Sequence, residues 1–123
     1  MVSIRFMSDL PPTAFIIKFG ESYLCPVCGY DGTFHGNHYD DEEGGCIATG
    51  ICSCCLFEPG FNDNPAASAD ARDSVAASIS SYRAKWVAAG SPWRGGDTKS
   101  PPLGWDPHDQ LARLFQVAPF LDQ

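Results

Sequence analysis

Two closely spaced cysteine pairs constrain the fold of this 123-residue chain more than any other feature of its sequence. Cys25 and Cys28 frame the first pair in YLCPVCGYDG, and Cys52 and Cys55 frame the second in ICSCCLFEPGF. A C-x-x-C turn brings two sulfur atoms to one point, and two such turns supply the four tetrahedral ligands that zinc prefers. The sequence therefore predicts one structural Zn²⁺ bound by Cys25, Cys28, Cys52 and Cys55.

The other thiols and the intervening loop leave part of the ligand set open. Of the two remaining cysteines, Cys46 and Cys54, the latter could replace a neighbouring ligand or lie buried beside the site. His35 and His38 lie in the polar loop between the pairs, where a solvated histidine is commoner than a metal ligand. Inert buried thiols would not explain the spacing. A redox dithiol would need a helix signal directly after Cys28, which the sequence lacks.

Charge and hydropathy narrow the class of protein. The chain has 15 Asp and Glu against 8 Lys and Arg, a formal net charge of −7, and four thiolates on one zinc ion would add about −2. Nucleic-acid binding depends on basic contacts to phosphate, so a nucleic-acid partner is disfavoured.

The chain has no segment long and apolar enough to cross a bilayer and no secretory pattern at its start, so we expect a cytoplasmic protein without a membrane partner. Cysteines in that compartment are more often metal ligands than disulfides.

The pattern of apolar residues predicts an α+β fold in a single domain, residues 1–123. Alternation at Phe15, Ile17 and Phe19 predicts a strand that leads to the first cysteine pair. The segment CIATGIC predicts a second strand before the second pair. These strands would form a small zinc-ribbon-like β-sheet within a core of about residues 14–61.

Two C-terminal helices are predicted to pack on this sheet, in a helical part of about residues 65–118. The first helix would begin with Asn64 as its N-cap and Pro65 as its first residue, and would end at Gly90. Its apolar stripe consists of Ala71, Val75, Ile79, Tyr82 and Trp86. The second helix would begin at Asp106 and Pro107. Its apolar face consists of Leu111, Leu114, Phe115 and Ala118.

Two surface features are candidates for contact with a protein partner. An acidic run, usually a solvated loop, could meet a basic surface; it consists of Asp40, Asp41, Glu42 and Glu43. Trp93 lies in an irregular segment rich in Gly and Pro, where a tryptophan can anchor an interface. Trp86, on the core stripe, is expected to be structural, and Trp105 is expected to pack at the start of the second helix.

No arrangement of residues in the sequence indicates catalysis, so we expect a protein that is not an enzyme. A Ser-His-acid set, a phosphate loop and an H-E-x-x-H motif are all missing from the sequence. A closed four-cysteine zinc site is structural because it leaves no coordination position for water or substrate. A thiol enzyme or redox sensor that uses Cys46 or Cys54 is an alternative.

Four segments in order along the chain, YLCPVCGYDG, ICSCCLFEPGFND, YRAKWVAAGSPW and PPLGWDP, resemble the bacterial cysteine-rich CPCC family of small zinc-ribbon-like proteins. The resemblance covers about residues 23–107. In that family the second cluster reads Cys-Pro-Cys-Cys-Gly, whereas Ser53 and Leu56 stand here for the proline and the glycine. This departure leaves open whether Cys54 or Cys55 faces the metal.

Family members resemble proteins found beside contact-dependent or secreted toxins, where they would serve as immunity proteins. The resemblance therefore implies a non-catalytic protein that binds and neutralises a toxin domain. Many such toxins have basic clefts, and an acidic surface would speed and orient binding to them. The alternative is a zinc-ribbon nucleic-acid or transcription accessory module, which the ribbon-like fold favours and the net charge opposes.

Overall fold

The computed structural model of the chain describes residues 10–95 and 99–122. Two short β-hairpins are followed in the chain by two helices, α1 (Val75–Ala88) and α2 (Pro107–Val117). The predicted α+β class is confirmed, with the β structure divided between two two-stranded antiparallel sheets. No helix among the described residues has the length and apolar character that a membrane span requires.

The first hairpin leads directly into the first cysteine pair. Strand β1 (Ile17–Phe19) pairs with β2 (Ser22–Leu24), so that Ile17 lies opposite Leu24. The second hairpin consists of β3 (Tyr39–Asp40) and β4 (Gly44–Gly45). The acidic run lies at the end of β3 and in the turn that follows, and we call residues 40–43 the acidic turn. The first hairpin therefore positions the first cysteine pair, and the second hairpin presents the acidic residues.

The predicted strands are only partly present. Phe15 is buried in a 3₁₀ turn, Pro12–Phe15, and not in the strand, because consecutive prolines favour a turn over an extended ladder there. The strand predicted in CIATGIC is wrong, since residues 46–52 form turns and irregular backbone. Ala48 has a φ of 67° and Gly50 a φ of 142°, and neither angle belongs to a strand.

The predicted start of the first helix is also wrong. Asn64 does not cap a helix; its Oδ1 accepts a hydrogen bond of 3.0 Å from the Ala66 amide within a turn. Helix α1 begins at Val75, and Ser74 is its N-cap, with Oγ accepting a 3.0 Å bond from the Ala77 amide. Ala71 consequently lies outside the helix. Asn-Pro favours turns as well as helix starts, so the local signal was ambiguous.

The end of α1 and the four members of the apolar stripe that lie within the helix agree with the prediction. Gly90 has a φ of 97° and donates its amide to the Val87 carbonyl at 2.9 Å, which closes the helix. Ile79 and Trp86 are buried in the core, and the Trp86 indole donates to the Pro92 carbonyl at 2.9 Å. The stripe therefore packs α1 against the cysteine-bearing segments.

Helix α2 begins where it was predicted. Asp106 is the N-cap, and its Oδ1 accepts hydrogen bonds from the amides of His108 at 2.8 Å and Asp109 at 3.2 Å. Leu114 and Ala118 are buried on its inner face. One hydrophobic cluster joins these side chains to the cysteines and to the stripe of α1.

Candidate metal centre

The four predicted zinc ligands converge on one point in the structure. The Sγ atoms of Cys25, Cys28, Cys52 and Cys55 all lie within 4.8 Å of one another, and all four side chains are fully buried. The distances are 3.8 Å from Cys25 to Cys55 and 3.6 Å from Cys28 to Cys52. A tetrahedral zinc ion with bonds of about 2.3 Å has sulfur–sulfur edges of about 3.8 Å. The thiols are not bonded to one another, and their spacing fits one metal ion.

Each cysteine pair lies in a tight turn, and the two turns have the same hydrogen bonds. In the first knuckle, residues 25–30, the Cys25 amide donates to the Tyr30 carbonyl and the Gly29 amide to the Cys25 carbonyl, both at 2.8 Å. In the second knuckle, residues 52–57, Cys52 bonds to Phe57 at 3.0 Å and Leu56 to Cys52 at 2.8 Å. The backbone of each knuckle thus directs two thiols inwards.

The position after each pair has a left-handed backbone. Gly29 adopts a φ of 88°, and Leu56 adopts a φ of 66° in the equivalent position of the second knuckle. A leucine pays a steric penalty in this region that glycine avoids. The turn nevertheless forms, and it resolves the ambiguity of the second cluster, because Cys55 and not Cys54 completes the four-sulfur group.

Cys54 and Cys46 lie outside the ligand group. Cys54 is fully buried, and its Sγ accepts a hydrogen bond of 3.5 Å from Nε2 of Gln110. Cys46 is half-buried near the acidic turn, where burial and then the charges of Asp40 and Glu43 raise the pKa of its thiol. A raised pKa disfavours the thiolate, which argues against Cys46 as a reactive nucleophile.

Helix α2 supports the first knuckle from outside the metal centre. Nε2 of Gln110 donates to the Cys28 carbonyl at 3.0 Å, and Nη2 of Arg113 donates to the Gly29 carbonyl at 3.2 Å. These bonds join residues more than 80 positions apart in the sequence. Neither residue is recognisable from the sequence, because a polar side chain on a helix gives no sign of a buried partner.

Helix α1 contacts both knuckles. The Tyr82 hydroxyl donates to the Cys55 carbonyl at 2.8 Å. The next residue, Arg83, donates to the carbonyls of Pro26 and Val27 in the first knuckle, the latter at 2.7 Å. Arg83 was also missed, although its spacing from Ile79 and Trp86 places a cation on the buried stripe and could have indicated an internal partner.

The thiols influence one another's ionisation. Burial raises the pKa of Cys28 and of Cys55 well above the ordinary value. Burial would also raise the pKa of Cys25, but hydrogen bonds from Cys28 and Cys52 outweigh this effect, so the pKa of Cys25 is lowered. The sulfur atoms are therefore close enough for the ionisation of one thiol to alter the pKa of its neighbours. A bound cation would supply the charge that four buried thiolates require.

The two loop histidines differ in their surroundings. His35 is exposed, as expected of a loop histidine. The same expectation for His38 is wrong, because its side chain is 0% exposed and its ring stacks on Phe34 with centroids 4.4 Å apart. Neither ring nitrogen of His38 has a hydrogen-bond partner among the described residues. His38 is thus a core residue, and neither histidine belongs to the ligand group.

We predict that His38 makes the protein less stable in acid. Burial lowers the pKa of His38 to about 4, against about 6.5 in an unfolded chain. The unfolded state therefore binds a proton first, and stability is lost as the pH falls from about 6.5 towards 4. Between pH 7 and pH 5 the free energy of unfolding should fall by about 2 kcal/mol more in wild type than in His38→Leu. Urea denaturation at saturating zinc measures the difference, and parallel pH profiles would contradict it.

The acidic turn is exposed and internally braced. Oδ1 of Asp40 accepts hydrogen bonds from the amides of Glu42 at 2.9 Å and Glu43 at 3.1 Å. Oδ1 of Asp41 accepts from the Thr13 hydroxyl at 2.7 Å and the Thr13 amide at 3.0 Å, and these bonds lower the pKa of Asp41. Hydrogen bonds to Asp40 and Asp41 therefore hold the turn, and all four acidic side chains in it are exposed.

Trp93 belongs to an aromatic cluster beside the first knuckle. It is half-buried, and its ring meets Tyr30 and Trp105 edge to face at centroid distances of 5.1 and 5.5 Å. Trp105 packs at the start of α2, as predicted, and its indole donates to Oε1 of Gln110 at 2.9 Å. Only part of the Trp93 ring is therefore accessible to a partner.

The chain matches no protein-family model, no curated protein and no solved structure. The resemblance to the CPCC family therefore stays a prediction. Function is inferred from the geometry of the cysteine cluster and from the surfaces around it.

Proposed function

We propose that this protein is a non-catalytic interaction protein stabilised by one structural zinc ion. The observation that carries the proposal is the closed group of four fully buried cysteines whose sulfur atoms all lie within 4.8 Å of one another. Such a group occupies every coordination position of zinc and leaves none for a substrate. The surrounding helices donate hydrogen bonds to both knuckles, which is typical of a site that maintains a fold.

We further propose that the partner is a toxin domain with a basic surface, and that the protein acts as its immunity protein. The resemblance to the CPCC family suggests this role, and two observations support an acidic contact surface. The chain has a net charge of −7, and the acidic turn presents exposed carboxylates on a braced backbone. A pre-organised acidic surface loses little entropy when it binds a basic partner.

The first test identifies the partner. The protein is purified from its own cells without added metal and analysed by native mass spectrometry. We expect one zinc ion per chain and a stoichiometric protein partner whose toxicity is suppressed by co-expression. Recovery of nucleic acid alone would instead favour the zinc-ribbon accessory module, and a chain without metal would contradict the proposal at its foundation.

The acidic surface is tested with two charge-matched variants. Asp40 and Asp41 hold the turn, so the charges are removed at Glu42 and Glu43 as the double variant E42Q/E43Q. We expect slower association with the purified partner and a tenfold or so loss of affinity at low salt. The control, E21Q/D109N, removes two exposed charges elsewhere and should bind as wild type does. Equal affinities of the two variants would exclude the acidic turn as the contact surface.

A further inference from the structure

Arg83 is a buried cation that contacts the segment between two of the proposed zinc ligands. Of the lysines and arginines within residues 10–95 and 99–122, it is the one that is buried, with 7% of its surface exposed. Its guanidinium donates to three backbone carbonyls, those of Pro26, Val27 and Leu121. The Phe115 ring lies 5.1 Å from its central carbon. Its contacts are thus carbonyls and a ring face, neither of which carries a formal negative charge.

A buried charge is costly unless an opposite charge lies nearby. Burial lowers the pKa of Arg83, and the charges of Cys25 and Cys28 are the largest influences that oppose this effect. Asp122, the one carboxylate among these influences, is exposed, so water screens it. Pro26 and Val27, whose carbonyls bind the guanidinium, are the two residues between Cys25 and Cys28. The cation therefore lies against the segment that carries two of the sulfur ligands.

The charge of the occupied site complements Arg83. Four thiolates around one Zn²⁺ leave a net charge of about −2 in a dry environment. All four sulfur ligands are fully buried, so solvent does little to screen that charge. A guanidinium held at the first knuckle by two hydrogen bonds would offset part of it.

We propose that Arg83 is the internal counter-charge of the metal centre, so that zinc binding and the packing of α1 on the first knuckle stabilise each other. This inference rests on the proposed zinc site. Arg83 also holds the Leu121 carbonyl at 2.8 Å, in the 3₁₀ turn Pro119–Leu121. The counter-charge thereby links the metal centre to the last described turn of the chain.

The test separates the charge of Arg83 from its hydrogen bonds. Arg83→Lys keeps the positive charge, and Arg83→Gln keeps an N–H donor without the charge. The dissociation constant for Zn²⁺ is measured for each purified protein by competition with a chromogenic chelator. We expect Arg83→Gln to bind zinc about 10–100-fold more weakly than wild type. We expect Arg83→Lys to bind at least about tenfold more tightly than Arg83→Gln.

A matched control is available on the same helix. Lys85 also lies on α1, but its side chain is 59% exposed and lies 3.8 Å from Asp70. Lys85→Gln removes the same formal charge and should change zinc affinity little. Equal zinc affinities of Arg83→Gln and Arg83→Lys, or equal losses in Arg83→Gln and Lys85→Gln, would overturn the inference.

The experiment also distinguishes the inference from the proposal on which it rests. A wild-type protein that binds no zinc would defeat the proposed function itself. Circular dichroism at saturating zinc verifies that each variant is folded. If Arg83→Gln does not fold, Arg83→Lys decides the question: affinity within tenfold of wild type supports the counter-charge, and a larger loss assigns Arg83 to hydrogen bonding alone.

Discussion

Replacing Cys55 with serine should abolish zinc binding and unfold the protein, whereas replacing its neighbour Cys54 should leave one zinc ion bound. Cys55 belongs to the four-sulfur group, and Cys54 does not. Zinc binding at structural sites carries an apparent free energy of about 10–16 kcal/mol at pH 7. The total stability of a domain is about 5–15 kcal/mol, so a folded chain should not survive the loss. Native mass spectrometry counts the metal, and far-UV circular dichroism follows unfolding.

The adjacent cysteine is a stringent control because both side chains are fully buried. Cys54→Ser loses the contact with Gln110, for which we expect a cost of about 1 kcal/mol and no loss of metal. Cys46→Ser, at a half-buried position, should resemble wild type. If Cys54→Ser lost the zinc and Cys55→Ser kept it, the second knuckle would have a different register from the one described above.

Gly29→Ala should destabilise the protein by about 3 kcal/mol or more, because two effects combine at this position. Gly29 has a φ of 88°, where a side chain is strained. A Cβ atom there would also lie 2.7 Å from the backbone carbonyl oxygen of Gln110 and 3.1 Å from Cβ of Leu114. Helix α2 would have to move away from the first knuckle, which would weaken the hydrogen bond from Gln110 to Cys28.

Gly90→Ala is the matched comparison for this prediction. Gly90 has a similar φ of 97°, but no atom lies within 4 Å of the position of its Cβ. We expect a cost of about 1 kcal/mol from backbone strain alone. Both substitutions restrict the unfolded chain equally, so their difference measures the contact with α2. Urea denaturation at saturating zinc provides both values, and equal values would show that α2 can move without cost.

The four cysteines that cluster could be predicted from the sequence because a C-x-x-C turn is a local structure. The backbone hydrogen bonds that shape each knuckle span at most five residues, as in the bond from Cys25 to Tyr30. The start of α2 was predictable for the same reason, since Asp106 caps the residues that follow it directly. The start of α1 was not, because Asn64 and Ser74 both have capping side chains and only packing of the helix selects between them.

The supporting residues of the site depend on contacts between distant segments. Gln110 reaches Cys28 across 82 positions and Arg83 reaches Val27 across 56, and no local pattern encodes such pairs. The burial of His38 was missed for a different reason, because Phe34, only four residues away, covers a ring that the polar sequence around it assigned to a solvated loop. Polar residues on a helix are usually solvent-exposed, so sequence patterns assign such roles to the surface by default.

The hydrogen bonds from α1 and α2 to the knuckles bear on how far the cysteine segment can act as an independent module. A fragment that ends at residue 61 would keep all four sulfur ligands. It would lack the donors to the carbonyls of Pro26, Val27, Cys28, Gly29 and Cys55. Transplanting the two C-x-x-C pairs into another scaffold would therefore transfer the four cysteines without the supports that orient them. The smallest portable unit of the proposed zinc site thus extends from the first hairpin into α2.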